Sequence, residues 1–245
     1  IFPKYKGKLF CRGVIDKFRS GGQCVCIVRR NKMIHAGIML FLEKGYENTS
    51  TSEIAKAAGM SASSFFAAFE NKEALLLQLV EHMFTGQFDE IQAILGNRAE
   101  PVMIYAAETA LQLHIAELSE PLYLTAYSLP STSEYLYDRT SKKIEFLMSK
   151  YMPGSSSRDF YELEIATASI MRGFMSKPCD VYFTMNDKLR RFLSCALTLY
   201  RVPQSLQEQV IEAVLDMDLH STAVALVESV VKQAEIGFEE IMHQA

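Results

Sequence analysis

Helix start and stop signals between residues 34 and 83 constrain the fold of this chain most. Apolar residues recur at i, i+4, i+7 and i+8, the period of one helix face: Ile34, Ile38, Phe41 and Leu42. Gly45 follows this stripe, where a left-handed residue would end a helix. Ser50-Thr51-Ser52-Glu53 then has the spacing of a capping box, which starts a second helix.

A turn and two further caps follow within 20 residues. Gly59-Met60 supplies the turn, Ser61 stands at the N-cap of another short helix, and Asn71 can cap a longer one. Alanines beside the turn permit two helices to approach closely. Two short helices joined by such a corner form a helix-turn-helix, which presents its second helix to the DNA major groove.

The rest of the chain has helical periodicity throughout, punctuated by prolines. We expect helices near residues 72–95, 101–117, 121–128, 132–151, 159–176, 187–201, 204–217 and 221–243. Residues 179–184 give only a hint of a strand. The predicted fold is all-α, with a three-helix head over residues 29–76 and a larger helical domain over residues 77–245. Residues 1–28 lack a clear period, contain a breaker at residues 20–23, and are expected to be a flexible or non-native basic segment.

The head resembles a known family. Residues 33–76 read MIHAGIMLFLEKGYENTSTSEIAKAAGMSASSFFAAFENKEALL. This stretch, about a fifth of the chain, is similar in order and spacing to the DNA-binding head of the TetR family of repressors. The resemblance implies a dimeric repressor whose second domain binds a small-molecule effector that releases it from a double-stranded DNA operator. No enzymatic activity is expected.

The resemblance also implies which residues face DNA. Lys72 is expected on a backbone phosphate, and Thr49 and Ser50 along the backbone. The expected recognition surface is formed by Ser61, Ser63, Ser64, Phe66 and Ala67.

Two departures from the family pattern concern DNA affinity. Phe66 stands where the family usually has tyrosine, and no lysine or arginine occurs between Ala57 and Asn71. The recognition helix therefore lacks a guanidinium to read guanine. Phosphate affinity is expected from basic residues at the margins, above all Arg29 and Arg30 before the first helix. The alternative is a helical adaptor that keeps the head but binds DNA weakly.

Composition excludes some classes of protein without choosing among the rest. Residues 1–28 carry six basic residues against one acidic residue, residues 29–85 carry six of each, and residues 86–245 carry 13 against 22. The five irregularly spaced cysteines do not indicate a disulfide framework, so the cytoplasm is the expected location. No apolar run approaches the roughly 20 residues that span a bilayer. Cofactor and metal motifs are absent from the sequence, and neither ligand is expected.

Aromatic residues and methionines are dense between residues 101 and 176. A pocket for an apolar or aromatic effector could be lined by Tyr105, Tyr123, Tyr127, Phe146, Met171 and Phe174. Ordinary helix-bundle core is the alternative for each of them. By family position, the helices near 159–176 and 187–201 are expected to form the homodimer interface. The helices beyond residue 204 either pack within the domain or widen that interface.

Overall fold

Helices form the regular structure of the computed structural model, which describes residues 21–96, 98–118 and 129–229. No strand occurs within these ranges, which confirms the all-α prediction. In chain order the helices are α1 (Gly21–Lys44), α2 (Thr51–Ala57), α3 (Ala62–Ala68), α4 (Lys72–Leu95), α5 (Pro101–Leu118), α6 (Pro130–Met148), α7 (Ser157–Met175), α8 (Met185–Leu199), α9 (Gln204–Leu215) and α10 (219–229). The helix predicted near 121–128 and the end of the one predicted near 221–243 lie outside the described residues.

The first helix begins earlier than predicted. It is already helical at Gly21, the first residue that the structure describes, so residues 21–23 of the expected breaker do not interrupt the helix before Arg29. A helical glycine costs about 1 kcal/mol relative to alanine, but a helix 24 residues long can absorb that cost at its start. Its later turns are anchored because Met33 and Phe41 are buried.

The head packs around one apolar centre. Buried side chains from all four helices and the segments between them meet there: Met33, Ile38, Phe41, Ile54, Ala55, Phe65, Phe69, Leu75 and Leu76. The crossing of α1 and α4 is close at Gly37, where a Cβ atom would lie 2.8 Å from Cδ2 of Leu75. Glycine thus permits the contact that holds α4 against the head.

In the second domain, α5 is the central helix. Most of its residues are buried, including the polar Glu108 and Gln112. The antiparallel helices α6 and α7 pack together, and α8 and α9 complete the layer around α5. An ion pair of 2.7 Å between the buried ammonium of Lys188 on α8 and the carboxylate of Glu117 on α5 joins two of these elements.

The hint of a strand at residues 179–184 is wrong. The Asp180 carboxylate accepts the backbone N–H groups of Tyr182 and Phe183 at 2.8 and 2.9 Å, which folds the segment into a turn before α8. This local bond competes with the extended conformation that a strand requires. Among the described residues, none of the helices combines the length and apolar character needed to cross a membrane.

Candidate nucleic-acid interface and effector region

Helix α2 begins with the predicted capping box. The Glu53 N–H donates to the Ser50 hydroxyl at 3.2 Å, and the Ser50 N–H donates to the Glu53 carboxylate at 2.8 Å. The Lys44 ammonium lies 2.6 Å from the same carboxylate. This contact, together with the Ser50 hydrogen bonds, lowers the pKa of Glu53 to about 2. The start of α2 is therefore fixed to the end of α1 by local bonds.

The corner between α2 and α3 has the geometry that its sequence predicts. Gly59 adopts a φ of 71°, a left-handed conformation in which a side chain is strained. The Met60 N–H donates to the Ala55 carbonyl at 2.8 Å and closes the turn. Ala55 and Ala58 are buried, so the two short helices meet at small side chains.

The outer face of α3 carries the residues expected at the recognition surface. Ser61, Ser63 and Ala67 are exposed, Ser64 is half-buried, and the Phe66 side chain is 60% exposed. Phe65 points the other way and is fully buried. Ser61 occupies the N-cap position but, contrary to expectation, forms no capping hydrogen bond from its side chain. Its hydroxyl instead lies 3.0 and 2.9 Å from the hydroxyls of Ser63 and Ser64.

The Thr49 side chain does not lie along the outer surface, contrary to expectation. It is 1% exposed, and its hydroxyl donates to the carbonyls of Gly45 at 2.8 Å and Leu40 at 3.3 Å. The hydroxyl therefore closes the turn between α1 and α2. Ser50, the next residue, is exposed.

Two half-buried cations that are expected on DNA phosphates also form hydrogen bonds within the protein. The Lys72 ammonium donates to the carbonyls of Tyr46 at 2.7 Å and Thr49 at 3.0 Å, and lies 4.0 Å from the Tyr46 ring centroid. Arg30 donates to the Ala68 carbonyl. Both contacts join segments far apart in sequence, which the spacing of residues could not reveal. Arg29 and Lys56 are exposed on the same domain.

The six residues expected to line an effector pocket are not all brought together. Tyr105 and Met171 are buried and Phe174 is half-buried. Phe146 is 67% exposed, contrary to expectation, because its neighbours Leu147 and Met148 take the core-facing positions of α6. Tyr123 and Tyr127 lie outside the described residues.

A buried polar cluster that the sequence analysis missed lies between α5, α7 and the end of α8. The Gln112 amide donates to Glu108 at 2.5 Å, and the Thr167 hydroxyl donates to Glu164 at 3.0 Å. Thr167 also lies 3.1 Å from the Tyr200 hydroxyl. The signal available in the sequence was an acidic residue inside the apolar run of α5.

Burial governs the ionisation of this cluster. It raises the pKa of Glu164 to about 8, and the neighbouring Glu108 carboxyl acts in the same direction. Burial also raises the pKa of Glu108, while the Gln112 hydrogen bond and the Lys143 charge oppose that shift. The cluster therefore holds at least one neutral carboxyl group at pH 7.

Comparison with known proteins identifies the head. A family profile described as "Bacterial regulatory proteins, tetR family" matches residues 33–79. Residues 33–79 are therefore the DNA-binding head of the TetR family, a helix-turn-helix. This match confirms the resemblance drawn from residues 33–76.

Relatives and solved structures of the family extend the likeness beyond the head. The uncharacterized HTH-type transcriptional regulator YuxN of Bacillus subtilis is 29% identical over 192 residues, which cover 76% of this chain and 61% of YuxN. The chain thus spans less than two thirds of that relative. The repressor DhaR of a Mycobacterium species is 31% identical over 72 residues, covering 29% of this chain and 36% of DhaR.

Two crystal structures share the fold of about three quarters of the chain. RolR in complex with resorcinol has a TM-score of 0.59 at 15% identity, covering 77% of this chain and 95% of RolR. FadR of Thermus thermophilus in complex with lauroyl-CoA, a TetR-family repressor, has a TM-score of 0.55 at 20% identity, covering 71% of this chain and 96% of FadR. At these identities the likeness concerns the fold: a helix-turn-helix head followed by a helical domain.

Proposed function

We propose that the chain is a DNA-binding transcriptional repressor that a small effector releases from its operator. The observation that carries this proposal is the outer face of α3. It presents Ser63 and Phe66 outward beside the half-buried Ser64, while the buried Phe65 and the closed corner at Gly59 hold the helix in place. A rigid helix with exposed polar and apolar groups is what a major groove accepts.

Affinity and sequence preference come from different residues in this proposal. Arg29 and Lys56 are exposed and supply charge to phosphates. The hydroxyl of Ser64 lies where base edges would be read, and the exposed Phe66 ring lies where the tyrosine usual in the family could reach a backbone phosphate. Specificity then depends on hydrogen bonds, apolar contact and DNA shape rather than on a guanidinium.

The working unit is a homodimer. Two recognition helices must lie about 34–36 Å apart to enter successive major grooves. We place the interface on α7 and α8, whose positions along the chain correspond to the dimer helices of the family. The 39% exposure of Ile165 on α7 supports this placement. A monomer in light scattering at micromolar concentration would contradict it.

The effector site lies between α5 and α7 in this proposal. Glu108, Glu164 and Tyr200 offer hydrogen-bonding groups in an apolar surrounding, and the ring of Tyr105 packs edge-on against Tyr200 at 5.4 Å. Such a setting fits a small aromatic ligand with hydroxyl groups, a class to which the resorcinol bound by RolR belongs. The ligand releases DNA if it binds more tightly to a conformation whose heads miss the two grooves.

An adaptor that has kept the head without DNA binding is the second candidate. It is favoured by one observation: α3 carries no cation, and the Arg30 and Lys72 side chains are engaged inside the head. Fewer cations at the surface mean fewer phosphate contacts.

A gel-shift with DNA from immediately upstream of the chain's own gene separates the two candidates. A repressor retards this fragment at protein concentrations that leave a shuffled fragment of the same composition unshifted. No retardation of either fragment at low salt supports the adaptor, and equal retardation of both contradicts a sequence-specific repressor. Ser64→Ala is the matched variant, because it changes a recognition hydroxyl and no charge. It should alter the preference between the fragments.

A further inference from the structure

Arg30 joins the first helix of the head to the last turn of its recognition helix. Its Nη1 atom donates to the Ala68 carbonyl at 2.5 Å, and its guanidinium carbon lies 4.4 Å from the Phe69 ring centroid. Ala68 is the last residue of α3 and Phe69 is its C-cap. The Phe69 ring is buried and lies 5.6 Å from the ring of Phe65.

This contact supplies what the end of α3 lacks. The last carbonyls of a helix have no partner within the helix and carry partial negative charge. A guanidinium can donate to such a carbonyl while its flat face stacks on an aromatic ring. A lysine ammonium is a point charge on a flexible stem and cannot do both in the same way.

We infer that Arg30 is a positioning residue, which sets the orientation of α3 against α1 and does not contact phosphate itself. The inference rests on the proposed DNA binding. It assigns Arg30 a role opposite to that of a surface cation, although both roles make the residue necessary for binding. Arg29, its neighbour on α1, is exposed and provides the contrast.

The salt dependence of binding distinguishes the two roles. A residue that neutralises a phosphate releases a counterion, so its removal lowers the slope of log K against log salt by about 0.9. A residue that orients the recognition helix changes affinity at every salt concentration and leaves that slope unchanged. The test uses DNA from immediately upstream of the chain's own gene, because the orientation of α3 affects specific binding, whereas phosphate contacts alone account for binding to random DNA.

The experiment measures fluorescence anisotropy of a labelled duplex with the sequence immediately upstream of the chain's own gene against KCl concentration, with the full chain. We expect Arg30→Ala to bind about tenfold more weakly with an unchanged slope, the equivalent of about one charge-assisted hydrogen bond. Arg30→Lys should match Arg30→Ala although it keeps the charge. Arg29→Ala should lower the slope by about 0.9.

A slope that falls by about 0.9 in Arg30→Ala, with wild-type behaviour of Arg30→Lys, would overturn the inference and leave the proposed function standing. If the wild-type chain does not bind the duplex even at the lowest salt, the proposed function fails. Amide hydrogen exchange then decides the positioning role without DNA. Both Arg30 variants should speed exchange of the Phe69 amide, which donates to Phe65, while Arg29→Ala should not. Unchanged exchange in both Arg30 variants overturns the inference.

Discussion

Replacing Glu164 with glutamine tests the buried polar cluster, because the two side chains have the same shape and only one can ionise. Burial raises the pKa of Glu164 from its ordinary 4.5 to about 8. The folded chain therefore keeps a proton that the unfolded chain releases as the pH rises above 4.5. The stabilising contribution of Glu164 is complete below that value and is lost as the pH rises to about 8.

The size of the stability change with pH follows from the shift in the pKa of Glu164. A difference between 4.5 and about 8 corresponds to about 5 kcal/mol of unfolding free energy at most, lost at up to about 1.4 kcal/mol per pH unit. The glutamine variant lacks this loss while keeping an acceptor for the Thr167 hydroxyl. Its stability relative to wild type should therefore increase from pH 5 to pH 8.5 by several kcal/mol, and the variant should be the more stable protein at the upper end.

Urea denaturation followed by circular dichroism measures this difference at a series of pH values. The protein concentration must be held constant, since the stability of an oligomer depends on it. Groups that do not interact with Glu164 cancel in the comparison, including His114, whose pKa burial lowers to about 4. The Glu108 carboxyl interacts with Glu164, so its own titration adds to the measured difference. A difference between variant and wild type that stays constant from pH 5 to pH 8.5 would refute the burial of a neutral carboxyl group at this position.

Three further predictions concern the caps, the buried ion pair and the recognition surface. Ser50→Ala should lower the unfolding free energy by about 1 kcal/mol in urea denaturation, because it removes the cap of α2. Ser61→Ala loses no capping bond and should lower it by less than about 0.5 kcal/mol. Equal losses would contradict the cap assignment. By the same measurement, Glu117→Ala should lower the unfolding free energy by about 3–5 kcal/mol, because it leaves the Lys188 ammonium buried without its carboxylate. Lys188→Met should lower it by less. The reverse order would contradict the burial of this ion pair. Phe66→Tyr should tighten DNA binding in anisotropy titrations without changing the preference between duplexes, because the added phenol can donate to a phosphate. No gain in affinity would mean that position 66 does not lie beside the DNA backbone.

The parts of the head that could be predicted depend on short-range spacing. A capping box needs a serine and a glutamate three residues apart, and both bonds of Ser50 with Glu53 form within one helical turn. The left-handed turn at Gly59 likewise depends on the residue itself. These signals are visible in a sequence because the bond and its cause lie within four residues.

Contacts between distant segments could not be predicted in this way. Arg30 bonds a carbonyl 38 residues away and Lys72 one 26 residues away, so their internal roles emerge only after the helices pack. The same holds for Glu108 and Glu164, which meet across two helices, and for Phe146, whose exposure depends on which face of α6 its neighbours bury. The residue types at these positions indicated charged, polar or aromatic contacts. Tertiary packing decided whether each side chain makes those contacts inside the protein or at its surface.

Selection of DNA by the purified full chain from a random pool tests the central claim most directly. A dimeric repressor whose α3 helices read successive major grooves should enrich a pseudo-palindromic site with half-site centres about 10 base pairs apart. Ser64→Ala should enrich a different consensus with the same spacing. A pool that remains random after repeated rounds, although the protein is folded and dimeric, would contradict the proposal that this chain regulates transcription through its own recognition helix.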